Sequence, residues 1–416
     1  MDNAPRHPKS AALFARARRV IPGGIYGHAT PAATVPGALP SFAASGSGCR
    51  YRDLDGHEFI DYMCGYGPML LGYHHPEVEA AADAARALGS AFNHPTALTV
   101  ELAEALVDRI DFADWAVLAK NGSDLTTWAV QVAREVTGRR KILKIRGAYH
   151  GTHAWCSPGH GGLVSEDRIH VADFPWNDVA ALEALFARHR DDVACLVVTP
   201  FHHPAYADSV LPSPEFVAAA NRLCAHHGAL LVLDDVRCFP RLHLGGSHLA
   251  YGWRPDLAVY CKALGNGHPI AACVGRAAHQ AAASRVFLTG SYWHDPAPMA
   301  AALKVLEIAA RENIPALLER AGRRFVEGFL ALGEKHEVPL IASGPPAMPY
   351  VRVADDPGFQ RTQDLAAAAA REGVYLHPHH NWFLGTAHTD AEIDESLARL
   401  DRALFQEKIS DPKCAQ

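Results

Sequence analysis

Residues 229–235 read Ala229-Leu230-Leu231-Val232-Leu233-Asp234-Asp235. Five apolar residues in succession, without polar alternation, have the signature of a strand covered on both faces, as in a parallel sheet. The run ends in two carboxylates. A matching run downstream, Leu257-Ala258-Val259-Tyr260-Cys261, ends in Lys262 and is followed by the flexible Gly265-Asn266-Gly267. Two core strands therefore finish in ionisable groups, one an acid and one an amine. A charge on a core strand is costly unless it is paired or used chemically.

Outward from these strands the pattern alternates. Strands are expected at 115–118, 141–145 and 193–199, and helices at 125–137, 179–188 and 214–227. Such alternation implies a mainly parallel sheet covered by helices, an α/β fold. Helices at 298–311 and 315–336 lead into a separate α+β unit. Its strands are expected at 338–341, 348–353 and 374–377, and its helices at 363–372 and 390–405. Near the start, a helix at 10–20 is stopped by Ile21-Pro22-Gly23-Gly24, because proline and paired glycines do not continue a helix. Strand pieces at 49–51 and 58–60 flank the turn Asp53-Leu54-Asp55-Gly56. The expected organisation is an N-terminal segment (1–60) joining the small domain, a large domain (61–310) and a C-terminal small α+β domain (311–416).

Composition narrows the function. The 416 residues are 49% hydrophobic and 20% charged, and the formal net charge is −6. A mildly acidic chain is a poor partner for nucleic acid or anionic membranes. No apolar run approaches the roughly 20 residues that span a bilayer. The opening Met1-Asp2-Asn3-Ala4-Pro5-Arg6 lacks the charged-then-apolar plan of a signal peptide. Nine cysteines occur as singletons without a C-x-x-C pair, which fits reduced thiols in a cytoplasm. The 25 histidines include His202-His203, His226-His227 and His377-Pro378-His379-His380. None gives H-E-x-x-H or a helical pair with a carboxylate, so no metal site is expected.

Four segments add chemistry to Lys262. Lys120-Asn121-Gly122-Ser123-Asp124 lies between a strand and a helix. Gly122 permits close backbone approach, Ser123 is a good helix cap, and N–H groups at a helix start suit a phosphate dianion. The same residues also read as an ordinary capped turn. Gly147-Ala148-Tyr149-His150-Gly151 follows a strand, and its tyrosine suits either a flat cofactor ring or the core. Asp234 stands where open α/β sheets bind ligands. A carboxylate on a pyridine nitrogen keeps that nitrogen protonated, with Val236 on the opposite ring face from Tyr149. Thr289-Gly290-Ser291 supplies hydroxyls for a second phosphate loop. In order, the set is phosphate turn, stacking aromatic, pyridinium acid, reactive lysine and second phosphate loop. That order points to pyridoxal phosphate, with Lys262 as its Schiff-base lysine. The dinucleotide and P-loop glycine patterns are absent.

Over nearly its whole length the chain resembles the class III (fold-type I) pyridoxal-phosphate aminotransferases, in the branch that contains glutamate-1-semialdehyde aminomutase. The shared pieces include Ile21-Pro22-Gly23-Gly24, Asp53-Leu54-Asp55-Gly56, 62–73 (YMCGYGPMLLGY), Tyr149-His150-Gly151, Pro255-Asp256-Leu257 and Ala387-His388-Thr389. The resemblance places Lys262 at the family's cofactor lysine and Asp234 at its pyridinium partner. It places Ser291 where a residue of a second subunit grips the phosphate, and so implies a homodimer with shared active sites. The aminomutase's arginine after I-P-G-G is missing from Ile25-Tyr26-Gly27-His28-Ala29-Thr30, and its late glutamate has no counterpart near Pro378-His379-His380-Asn381-Trp382. Closer still are the fumonisin-detoxifying aminotransferases, matched at Gly24-Ile25-Tyr26-Gly27-His28, Lys120-Asn121-Gly122-Ser123-Asp124, Asp234-Asp235-Val236-Arg237 and Thr289-Gly290-Ser291.

The resemblance implies ping-pong transfer of an amino group from a primary amine to a keto acid, pyruvate in those relatives. Lys262 is the expected general base, and Arg237 a candidate for the acceptor carboxylate or for a structural ion pair. Tyr26, Tyr66, Trp155, Trp293 and Trp382 are candidates to line an amine pocket, with core packing as the alternative for each. The competing readings are an intramolecular aminomutase and a non-catalytic binding protein built on the same fold.

Overall fold

The computed structural model describes residues 6–25 and 31–406. In chain order its strands are β1 (Ala43–Ser47), β2 (Arg50–Asp53), β3 (Glu58–Asp61), β4 (Trp115–Ala119), β5 (Lys141–Ile145), β6 (Val171–Phe174), β7 (Val193–Val198), β8 (Leu230–Asp234), β9 (Leu257–Tyr260), β10 (Ala271–Gly275), β11 (Leu340–Ser343), β12 (Tyr350–Val353) and β13 (Val374–Tyr375). The chain divides into two compact units. One holds 76–204 and 210–315, and the other holds the described residues of 1–75, 205–209 and 316–416. The divisions fall at 75/76 and 315/316 rather than at 60/61 and 310/311. Residues 61–75 stay with the N-terminal strands because β3 pairs with β13 and Gly48 bridges to Tyr73.

The larger unit is built on a seven-stranded sheet in the order β4-β10-β9-β8-β7-β5-β6. Strands β9, β8, β7, β5 and β6 run parallel, β10 is antiparallel to β9, and β4 is antiparallel to β10. Side chains alternate across a strand, so a sheet covered on both sides buries both sets. Leu143, Ile145, Leu196, Val198, Leu231 and Leu233 join one core cluster, while Ile142, Cys195, Val197, Leu230 and Val232 join the other. Fully burying each such leucine or valine contributes on the order of 1.5–3 kcal/mol. This is why 229–233 lacks polar alternation.

Local signals set where the strands begin. The helix Pro214–His227 opens with proline in its first turn, and Ser213 Oγ accepts from the N–H of Phe216 at 3.2 Å. It ends at Gly228, whose φ of 61° is the left-handed conformation favoured by glycine. The chain then enters β8 directly. The same logic starts the helix Val179–Arg188, where Asp178 accepts from the N–H of Ala181 at 2.8 Å.

In the smaller unit, β1, β2 and β3 form an antiparallel meander, and β13 adds parallel to β3. Strands β11 and β12 pair antiparallel in a separate ladder. Helices Ile314–Lys335, Gln360–Arg371 and Asp390–Gln406 complete the α+β pattern. The expected elements are present, with ends shifted by a few residues. The elements that were not expected include helices Pro76–Arg86 and Ala97–Val107, and strands β1, β6 and β10. Among the described residues no helix is long and apolar enough to cross a membrane.

Candidate active site

The carboxyl ends of β4, β5, β7, β8 and β9 lead into a cavity of about 260 Å³ within the larger unit. Its lining includes Gly122 and Ser123 after β4, Tyr149 and His150 after β5, Thr199 and His203 after β7, Asp234, Val236 and Arg237 from β8 onward, and Lys262 after β9. Residues far apart in sequence meet here because parallel strands deliver their carboxyl ends to one edge. Register fixes the central pair: Asp234 lies opposite Val259, three residues before Lys262.

Asp234 is held from two sides. Its Oδ2 lies 2.8 Å from Nδ1 of His150, and its Oδ1 accepts the N–H of Val236 at 3.2 Å. The His150 ring is parallel to Trp155 at 6.1 Å, and Thr126 Oγ1 donates to the His150 carbonyl at 2.7 Å. Asp235 faces the other way, where Oδ2 accepts the N–H of Ser247 at 2.7 Å. Burial pushes the Asp235 carboxyl up to about 8, so it keeps its proton at neutral pH. Of the paired aspartates, only Asp234 lines the cavity.

Lys262 opens a 3-10 turn, Lys262–Gly265, and has a φ of +48°. That left-handed conformation costs a non-glycine residue roughly 1–2 kcal/mol, and strain of this kind gathers at functional sites. Burial, with the Arg237 charge second, pushes the amine down to about 7. At neutral pH the amine is therefore divided between its neutral and charged forms. Arg237 places Nη1 2.8 Å from Nδ1 of His203.

The turn after β4 leaves no room for side chains. A Cβ on Gly122 would sit 2.9 Å and 3.0 Å from the two Val236 methyls. A Cβ on Gly151, which has a φ of +124°, would sit 2.6 Å from Ser123 Oγ. The helix Gly122–Thr137 begins here, and Asn121 makes no side-chain cap to it.

The other expected site residues lie elsewhere. Thr289, Gly290 and Trp293 line a second cavity of about 850 Å³ in the same unit, and Thr289 and Ser291 are exposed. Tyr66 lies in the smaller unit, its ring edge-on to His377 and His380 at 6.0 and 5.4 Å. Trp382 is a core residue and not a pocket wall. It is 2% exposed, packs against Phe329 and Tyr350, and donates Nε1–H to the His377 carbonyl at 2.8 Å. Tyr26 lies outside the described residues. Thr126, Thr199, His203 and Cys261 line the main cavity without having been singled out in sequence. Position just past a strand end was the signal available for Thr199, His203 and Cys261.

The family model "Aminotransferase class-III" matches residues 33–404. The aminopentol aminotransferase of Sphingopyxis macrogoltabida is 43% identical over 391 residues, 94% of this chain and 92% of that protein. The 3-aminobutyryl-CoA aminotransferase of Cloacimonas acidaminovorans strain Evry is 33% identical over 405 residues, 96% of this chain and 97% of that one. Among solved structures, the FumI protein of Sphingopyxis sp. MTA144, in its PLP internal aldimine form, superposes with a TM-score of 0.94 at 42% identity and covers 96% of both chains.

Proposed function

Because the chain belongs to the class III aminotransferases, enzymes that move amino groups with pyridoxal phosphate, we propose that it passes the amino group of a primary amine to pyruvate. The amine we favour is aliphatic and hydroxylated, the chemistry named in the aminopentol aminotransferase. The observation that carries the reading is the meeting of Lys262 and Asp234 in one cavity with the start of the helix Gly122–Thr137.

The residues present fit the cofactor. His150 Nε2 is buried without a hydrogen-bond partner among the described residues, beside a carboxylate that its other nitrogen holds in place. The Gly122 and Gly151 backbones form a cradle that a Cβ would fill. N–H groups at the helix start would take the phosphate, Asp234 would take the ring N–H, Tyr149 and Val236 would flank the ring, and Lys262 would hold the group covalently through Nζ. When bound, pyridoxal phosphate supplies an electron sink that makes the proton on the amine-bearing carbon removable. Lys262 Nζ takes that proton and returns it, and a base with a pKa near the working pH does this efficiently. Arg237 binds the carboxylate of the keto acid in a fork. Amine and keto acid use the same cavity in turn, so the kinetics are ping-pong.

A donor screen with pyruvate and 2-oxoglutarate side by side tests the reading. Pyruvate-dependent turnover of long-chain amines is expected. Turnover that needs no keto acid would favour an intramolecular aminomutase, and absence of transfer across the whole panel would favour a non-catalytic protein.

The lowered Lys262 pKa gives a pH prediction with a definite sign. The amine is charged below about 7 and neutral above it, and only the neutral amine attacks an aldehyde. Cofactor uptake by the apoprotein should rise about tenfold per pH unit below that value and level off above it. Stopped-flow absorbance reads the rate, and a plateau reached only near pH 10 would contradict the assignment. For Arg237→Gln, loss of a charged hydrogen-bond pair should raise KM for pyruvate roughly tenfold to hundredfold. KM for the amine should be nearly unchanged, and steady-state kinetics separate the two.

The working form we propose is a cytoplasmic homodimer. Val100 and Phe287 are 57% and 84% exposed and line the cavity that also holds Thr289 and Trp293. Exposed apolar residues gathered round one cavity suit a second copy, which would bring Thr289 and Ser291 to the neighbouring phosphate. Light scattering should give twice the chain mass. The eight described cysteines are all free, which supports a reducing compartment.

A further inference from the structure

Within the smaller unit, three side chains converge. His7 Nδ1 lies 2.7 Å and His57 Nδ1 3.0 Å from the same carboxylate oxygen, Oδ2 of Asp53. All three potential ligand atoms lie within 4.8 Å of one another. Oδ1 of Asp53 is already taken, since it accepts the N–H groups of Asp55 at 2.9 Å and His57 at 2.8 Å. Oδ2 is the oxygen left for the imidazoles.

Elementary donor and acceptor accounting makes this arrangement informative. His7 Nε2 lies 3.1 Å from the carbonyl oxygen of Ala38. A carbonyl only accepts, so Nε2 carries a proton there. In the neutral ring the other nitrogen, Nδ1, then has a lone pair, and it points at a carboxylate oxygen that also has only lone pairs. Two lone pairs do not face one another at 2.7 Å unless something positive lies between them: a second proton on the ring or a metal ion. An imidazole fixed by a backbone carbonyl on its outer nitrogen is the usual way a metal-ligating histidine is oriented.

We propose that His7, Asp53 and His57 form a binding site for a divalent transition metal, with Zn²⁺ as the best fit. Two imidazole nitrogens and one carboxylate oxygen form a borderline donor set that suits Zn²⁺ and not Mg²⁺ or Ca²⁺. His7 and Asp53 are 7% and 2% exposed, whereas the His57 side chain is 35% exposed. The buried pair gives the floor of the site, and the solvent side at His57 gives an entry path and a place for water as fourth ligand. Ligands about 2.0–2.2 Å from a tetrahedral ion stand somewhat over 3 Å apart, so both imidazoles would move outward from Asp53, His7 from 2.7 Å by more than His57 from 3.0 Å. The ion would fasten the helix Pro8–Ala17 to the β2–β3 turn, where Asp55 already accepts the N–H groups of Lys9 at 2.9 Å and Ser10 at 3.2 Å. We give it a structural role, because none of its three ligands lines the cavity of Lys262. The site joins residues 7, 53 and 57 by folding.

The experiment uses the full-length, cofactor-loaded protein, stripped with EDTA and dialysed. Isothermal titration with Zn²⁺ should show one ion per chain at micromolar affinity or tighter. Co²⁺ should bind at the same stoichiometry with visible d–d bands, and the melting temperature should rise with added Zn²⁺ by mass action. His57→Gln, a change at the half-exposed ligand, should lose at least tenfold in Zn²⁺ affinity and most of the added thermal protection, with transamination unchanged. His7→Gln should do the same, and circular dichroism shows that each variant is folded. No uptake by the wild type at tenfold molar excess of Zn²⁺ would overturn the proposal and leave a second proton on His7 as the positive element. Equal uptake by wild type and the His7→Gln/His57→Gln double variant would also overturn it, by placing the metal on other surface histidines.

Discussion

Replacing Lys262 with alanine is expected to lower transamination by about a hundredfold to ten-thousandfold, the range that loss of a positioned general base produces. The side chain leaves β9 at its carboxyl end, in a strained conformation with a φ of +48°, and lines the same cavity as Asp234 and Gly122. Burial and the Arg237 charge bring its amine to about 7, so it can accept and return a proton near neutrality. Alanine removes that base and the covalent hold together. The protein should still fold, because the truncation removes an amine desolvated at a net cost. Its melting temperature in the apo form should be unchanged or higher. An alanine variant that turned over at a tenth of the wild-type rate would remove Lys262 from the mechanism.

The second large effect is expected for Asp234→Asn, at on the order of a hundredfold to ten-thousandfold in kcat. Asparagine has nearly the same shape, so the bonds from His150 and the Val236 N–H can persist in altered form. What changes is charge. A neutral amide does not hold a pyridine nitrogen protonated, and the electron sink weakens. Because His150 Nδ1 lies 2.8 Å from the carboxylate, the loss should be accompanied by a shift in the cofactor's absorbance, which a purely structural defect would not give. Asp235→Asn is the control. Asp235 is protonated at neutral pH, bonded to Ser247 and turned from the cavity, so its change should affect stability more than kcat. Equal losses of kcat in the two variants would contradict the assignment.

Lys262 and Asp234 were legible because each ends an uninterrupted apolar run, and such runs occur where a strand is buried on both faces. Strand β10 was missed because Ala271, Ala272, Cys273, Val274 and Gly275 are mostly small and carry little strand preference. The helix Pro76–Arg86 buries Val78, Ala82 and Ala85 at helical spacing, but alanine is too weakly apolar to make that stripe visible. Within the site, Thr199 and His203 follow β7 as surely as Asp234 ends β8, yet neither carries a pattern of its own in sequence. Trp382 shows the converse. Pocket wall and core were both open for it, and an indole with a carbonyl partner for its N–H is at home in a core. The triad of His7, Asp53 and His57 was invisible for a simpler reason, since 46 residues separate its first two members.

The central claim is that Lys262, and no other lysine, holds the cofactor. Borohydride reduction of the purified protein, followed by digestion and mass mapping, tests it most directly. Lys120 and Lys144 serve as internal controls, because they are buried lysines, at 8% and 9% exposure, in the same unit. The account predicts one pyridoxyl-phosphate adduct per chain, on the peptide that contains Lys262. An adduct on Lys120, Lys144 or any other lysine, or none on a protein that carries the cofactor, would contradict it.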